Sequence, residues 1–300
     1  VGWRFYLLHN CRNRCARMVS RRFEGKAVIV TGSSNGIGRE TARLFAAAGA
    51  KVTLAGRNTE TLEESRQELL KAGANESDIA IVQGDVADDA VIQALIDKTL
   101  AAFGRIDVLV NNAASLEIGK GNAAEMDISC FDQIVRVNVR QVILLTQLAA
   151  PHLAKTRGAV INISSIVSHP HEFHHHPFYS ITKAALDQVT VQFASVLIKQ
   201  GIRVNSINPG LIITDIFQKA GFTENTNGQF FNRMNDPNTI PIGRHGKPDD
   251  IAKAILFLAD RSESEFIVGQ KIYVDGGSTF KNVLLEAMGS FEAATHLPIA

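Results

Sequence analysis

The chain has 300 residues, enough for one large α/β domain with a full core or for two smaller ones. Lys+Arg 31 against Asp+Glu 30 leaves a net charge of +1, which points away from nucleic acid or an acidic membrane as partner. Three cysteines do not make a disulfide framework and fit a reducing compartment, and no apolar run approaches the ~20 residues of a membrane span.

Residues 1–22 carry six arginines and no acid. Three readings stand for them: a mitochondrial transit peptide, an extension upstream of a start at Met18, or a functional basic arm. Each predicts poor order there. From Lys26 the pattern is regular. "KAVIVTG" (26–32) reads as a buried parallel strand. "GIGRETARLFAAAGA" (36–50) places Ile37, Thr41, Leu44, Phe45 and Ala48 at helical spacing and stops at Gly49. "KVTLAGR" (51–57) predicts a second strand, 59–73 a charged amphipathic helix, and 78–86 a third strand. A helix over 88–104 and a strand over 106–114 follow, then one long helix over 131–153. "GAVINISSI" (158–166) is a fifth strand, 179–200 a helix and 202–210 a sixth strand. The pattern closes with a helix over 248–260 and a strand over 269–277.

This alternation with short connections is the grammar of a doubly wound, Rossmann-type parallel sheet of about seven strands, with helices on both faces. No linker divides the chain, so residues 23–280 are expected to form a single domain, with a tail over 281–300. The stretch 217–248 is long, irregular and aromatic, as binding loops are. Phe217, Phe222, Phe230, Phe231 and Met234 make it either a substrate loop or a patch of local core.

"TGSSNGIG" (31–38) lies between the first strand and the first helix. Gly32, Gly36 and Gly38 permit a tight turn and a close approach of backbone to a pyrophosphate, and the helix behind it offers free N–H groups. Ser33, Ser34, Asn35 and Ile37 complete the loop as candidate cofactor contacts. The end of the second strand selects the cofactor. An acid there would bind a ribose 2′-hydroxyl, and an arginine a 2′-phosphate. The chain has Arg57 and no acid, which favours NADP(H) over NAD(H).

These residues together resemble the short-chain dehydrogenase/reductase family over about residues 24 to 280, with a weaker likeness to tropinone-reductase-like and glucose-dehydrogenase-like members. The family's motifs are matched by "TGSSNGIG", by "NNAA" (111–114) with Ala114 in place of a usual glycine, and by Asn138 in "VNV". "INISS" with Ser165, "YSITK" (179–183), "NPG" (208–210) with Thr214, and "VDGG" (274–277) complete the set. The resemblance implies an oxidoreductase that reduces a ketone or aldehyde, or runs the reverse. It implies Tyr179 as general acid/base, Ser165 on the substrate oxygen, Lys183 on the ribose and Asn138 in a proton relay. It also implies cofactor contacts at Asp85, Val86, Asn112, Ala113, Pro209, Gly210, Ile212 and Thr214, and a homo-oligomer, tetramer or dimer.

The spacing of Tyr179 and Lys183 carries its own argument. Residues four apart on a helix are neighbours, and a nearby cation is expected to lower a phenol's pKa of about 10 towards neutrality. A non-catalytic NADP(H)-binding sensor on the same fold is the alternative; it would carry a broken Ser/Tyr/Lys set, and here the set is whole. A structural protein working through its arginine-rich tail is a further rival. His169, His171, His174, His175 and His176 are read as an exposed loop or pocket lining and not as a metal site, because adjacent histidines do not easily converge on one ion. A cytoplasmic location is expected, or a mitochondrial one if residues 1–22 are a transit peptide.

Overall fold

The computed structural model describes residues 22–116, 127–169, 177–214 and 235–280. Seven strands form one parallel sheet in the order β3-β2-β1-β4-β5-β6-β7. They are β1 (Ala27–Val30), β2 (Lys51–Gly56), β3 (Ile79–Gln83), β4 (Val108–Asn111), β5 (Ala159–Ile163), β6 (Arg203–Pro209) and β7 (Lys271–Val274). Strand β1 is "AVIV", buried along its whole length, because helices cover both faces. Alternation along it feeds two cores. Val28 and Val30 join Phe45, Leu54 and Ile255 on one side. Ile29 joins Leu95, Leu109, Leu145 and Val204 on the other. Full burial of each such side chain is worth about 1.5–3 kcal/mol.

The helices are α1 (Gly36–Ala47), α2 (Thr59–Lys71), α3 (Asp89–Phe103), α4 (Ile128–Val135), α5 (Gln141–Thr156), α6 (Pro177–Leu197), α7 (Pro248–Ala259) and a short α8 (Arg261–Ser264). Their starts are legible in chemistry. Asn58 accepts from Thr61 N at 2.9 Å, Asp88 from Ala90 N at 2.9 Å, and Asp127 from Ser129 N at 2.9 Å. Pro177 and Pro248 stand in first turns, where a missing N–H costs nothing.

Three elements depart from expectation. The helix expected over 131–153 is two helices joined by a wide π-type turn, Arg136–Arg140, and it runs on to Thr156 past Pro151. One inserted residue leaves the apolar pattern on either side intact, so periodicity does not reveal it. Helix α8 follows the expected stop at Asp260, whose carboxylate caps it by accepting from Ser262 N at 3.0 Å. The strands are shorter than their apolar runs; β7 spans Lys271–Val274 and not 269–277. Ala114 is exposed, and its φ is not positive, so replacing glycine there brings no backbone strain.

Strand order reverses between β1 and β4, which opens a crevice at the carboxyl ends of the strands. The predicted site residues come from the loops at this edge and from the helices that start beside it.

Candidate active site

The Gly-rich loop leaves β1 and enters α1 beneath β4. Thr31 Oγ1 accepts from the backbone N–H groups of Asn112 and Ala113, both at 3.0 Å. Asn112 Nδ2 donates back to Thr31 O at 2.8 Å and Gly32 O at 3.1 Å. Gly38 packs into this knot so closely that a Cβ there would lie 2.3 Å from Gly32 O and 2.5 Å from Asn112 Nδ2. Gly36 opens α1 at φ +53°, and a Cβ on it would meet the Thr214 methyl at 3.0 Å. The first turn of α1 holds no acid. Close backbone, a helix N-terminus and no negative charge fit a bound pyrophosphate.

The loop's other members divide their work. Ser33 is fully buried; its N donates to Ala55 O at 2.9 Å, its Oγ accepts from Ala55 N at 2.8 Å, and its O accepts from Ser65 Oγ at 2.9 Å. It stitches the loop to β2 and α2 and has no hydroxyl to spare for a ligand. Ile37 packs against the core. Ser34 O accepts from Arg39 Nε at 3.1 Å, which ties the loop's base to α2 through Arg39 and Ser65 Oγ at 3.0 Å. Asn35 stands in extended backbone at the helix start.

At the ends of β2 and β3, Arg57 Nη1 lies 3.8 Å from Asp85 Oδ2, with both side chains exposed. Val86 is buried in the core beside them. At the opposite end, Pro209 ends β6 beside Val274, and Gly210 N donates to Val274 O at 3.1 Å. Ile212 is buried and bridges to Gly246, so it has only main chain to offer the cleft.

Between these ends stand the four residues expected to do chemistry. Tyr179 stands in the first turn of α6, and the side chain of Ser165, which follows β5, acts on its phenol. Lys183 is 2% exposed; its Nζ donates to Ile163 O at 2.8 Å and lies 5.4 Å from the Tyr179 ring centroid. Asn138 sits in the wide turn and is 1% exposed. Its Oδ1 accepts from Ser115 N at 2.8 Å, and its Nδ2 donates to Ser115 O and Thr182 Oγ1, both at 3.0 Å. Thr182 Oγ1 in turn donates to Tyr179 O at 2.8 Å. Three elements thus lock around the start of α6.

The electrostatics correct one expectation. Burial pushes the Tyr179 phenol up, to about 12, and the Ser165 hydrogen bond pulls it only partly back. Burial also pushes the Lys183 ammonium down, to about 8, while Asp187 acts to raise it. Desolvation therefore outweighs the lowering of the phenol that the four-residue spacing suggests.

Sequence reasoning missed the partners that hold the site, namely Thr31, Ser115, Thr182, Asp187 and Asn208. Thr31, Thr182 and Asn208 lie inside quoted motifs, and that adjacency is the signal that marks them. His169 stacks edge-on to Tyr273, with centroids 6.3 Å apart. His171, His174, His175 and His176 lie outside the described residues, as do Phe217, Phe222, Phe230, Phe231 and Met234. Among the described residues no three His, Cys, Asp or Glu side chains cluster as metal ligands.

Comparison with known proteins adds to this geometry. A family model described as enoyl-(acyl carrier protein) reductase matches residues 32–279. A Caenorhabditis elegans short-chain dehydrogenase/reductase solved with cofactor is 44% identical, covers 86% of this chain and 97% of its own, and superposes with a TM-score of 0.84. The apo glucose dehydrogenase of the same organism is 45% identical over 86% of this chain and 99% of its own, with a TM-score of 0.72. A 3-oxoacyl-[acyl-carrier-protein] reductase of Thermotoga maritima is 34% identical over 260 residues, 85% of this chain and 98% of that protein. With its parallel sheet, glycine loop and Ser165–Tyr179–Lys183 cluster, the chain belongs to the short-chain dehydrogenase/reductase family of oxidoreductases.

Proposed function

We propose that the protein is an NADP(H)-dependent carbonyl reductase or alcohol dehydrogenase in which Tyr179 exchanges the proton. The observation that carries this reading is the buried Lys183 ammonium 5.4 Å from the Tyr179 ring centroid, with Ser165 at the end of the neighbouring strand close enough to act on the phenol. The nicotinamide cofactor supplies the hydride when bound. Ser165 Oγ holds the substrate oxygen against the Tyr179 hydroxyl. A phenol held near 12 is fully protonated at neutral pH, and an alkoxide is a stronger base than a phenolate, so Tyr179 can protonate the product of reduction. Lys183 places its charge where the ribose hydroxyls are held, and Asn138 fixes the backbone from which a water relay starts. Arg57, with no acid at the end of β2, supports NADP(H). By their names the relatives act on substrates as different as glucose and a 3-oxoacyl group on acyl carrier protein, so the substrate is no more specific than a carbonyl/alcohol pair.

A panel of ketones and aldehydes with NADPH, followed at the nicotinamide absorbance, tests the reading. Turnover is expected to fall about 10²–10⁴-fold in Tyr179→Phe with NADPH binding retained. Reduction is expected to run well at neutral pH, and oxidation to accelerate as pH rises to about 8, where Lys183 begins to lose its charge, because only oxidation needs the phenolate. A Tyr179→Phe protein with full activity refutes the assignment, and a wild type inert towards the whole panel favours a nucleotide sensor.

A further inference from the structure

Asp187 lies one turn beyond Lys183 on α6, points inward and is 5% exposed. Its carboxylate receives the side-chain amide of Asn208, whose Nδ2 lies 3.1 Å from Oδ1 and 3.2 Å from Oδ2. The same Nδ2 reaches Ser168 Oγ at 2.9 Å and Ser165 O at 3.2 Å. Ser206 Oγ donates to Asn208 Oδ1 at 2.8 Å, which fixes the orientation of the amide with its NH2 towards the carboxylate. Ser168 Oγ donates to Ser165 O as well, at 2.7 Å. The backbone of the serine in the site is therefore held from behind by a hydrogen-bonded chain that ends on a buried acid. The charged groups around that acid are Lys183 on its own helix and Lys271 on β7, whose Nζ is 3.9 Å from Oδ2. Tyr273 of β7 also feels it. An acid with so little water around it needs such compensation.

We propose that Asp187 is a positioning residue of the active site: its carboxylate anchors the Asn208 amide that holds the Ser165 carbonyl, and it serves as counter-charge to Lys183 one helical turn away. Tyr179, Lys183 and Asp187 then form one face of α6, reading proton donor, cation and counter-ion at steps of four. The pull of Asp187 on Lys183 towards the protonated form agrees with this arrangement. The proposal rests on the function proposed above, in which Lys183 must be charged to work.

The test compares the full chain with Asp187→Asn, which keeps shape and can still accept from Asn208 but has no charge. Two readouts are taken: the pH profile of ketone reduction with NADPH, and the titration of the Lys183 ε-carbon by NMR, assigned with Lys183→Met. In Asp187→Asn the Lys183 midpoint is expected to fall by roughly half a unit or more, and the alkaline fall in turnover to move with it. For a fall of half a unit, turnover is expected to drop about twofold at pH 8, as the charged fraction of Lys183 falls from about one half to about one quarter, and to change little at pH 6. Lys271→Gln, at the exposed outer side of the same acid, removes a competing cation and is expected to move the midpoint the other way. Should Asp187→Asn fail to fold, Lys271→Gln carries the test, and a midpoint that stays put or falls there overturns the proposal. A folded Asp187→Asn protein with unchanged midpoint and profile, whatever its melting temperature, overturns it too. A wild type without turnover whose Lys183 signal still shifts in Asp187→Asn would refute the proposed function and support the pairing.

Discussion

Arg57 and Asp85 stand 3.8 Å apart at the mouth of the expected adenosine site, and both are exposed. An exposed pair at that distance binds weakly, so the guanidinium can exchange Asp85 for a phosphate at small cost. Arg57→Asp is expected to weaken NADPH by roughly 10–100-fold, as loss of a charged hydrogen bond would, with little change for NADH. Asp85→Asn frees the arginine and is expected to tighten NADPH more than NADH. Dissociation constants from cofactor fluorescence read both, and equal effects on the two cofactors would remove Arg57 from the phosphate site. The identities of such side chains were legible in the sequence, because "YSITK", Ser165 and Arg57 stand in fixed relation to strand ends. Their electrostatics were not. Spacing reports that Lys183 is near Tyr179, but only the surrounding walls decide that desolvation pushes the phenol up and the ammonium down. For the same reason Ser33 reads as a ligand contact in sequence and as a strut from the loop to β2 and α2 in space.

Among the elements, the turn at Arg136–Arg140 shows what periodicity conceals. Apolar residues continue on both sides of it, yet the extra residue swings Asn138 inward to Ser115 and Thr182. The course of the loop between β1 and α1 was legible, since three glycines between a strand and a helix admit few other geometries, while the inward role of Ser33 was not. Gly38 gives this a sharp test. A methyl group there meets Gly32 O at 2.3 Å and Asn112 Nδ2 at 2.5 Å, and the first of these is backbone. Overpacking of this kind costs about 1–3 kcal/mol. Gly38→Ala is therefore expected to lower Tm by about 2–10 °C and to weaken both cofactors alike. Unchanged melting and affinity in Gly38→Ala would show that the loop does not hold the close approach described for it.

At the scale of the molecule, strand order and helix placement followed from the alternation of apolar runs and the right-handed crossover rule, which leave few topologies open. What covers the outside was less legible, because exposed apolar residues look like core in a one-dimensional pattern. Ile181, Val191 and Val196 lie exposed along the outer side of α6. They support the expectation of a homo-oligomer, and sedimentation velocity is expected to give a dimer or tetramer at micromolar concentration; a monomer throughout would assign those residues to solvent. The inner side of the same helix has a different consequence. Tyr179, Lys183 and Asp187 ride on a single rod, tied to the sheet through Ile163 and Asn208. Because one helix fixes all three side chains, substitutions in the loops beside the cleft are free to alter its shape without moving them relative to one another.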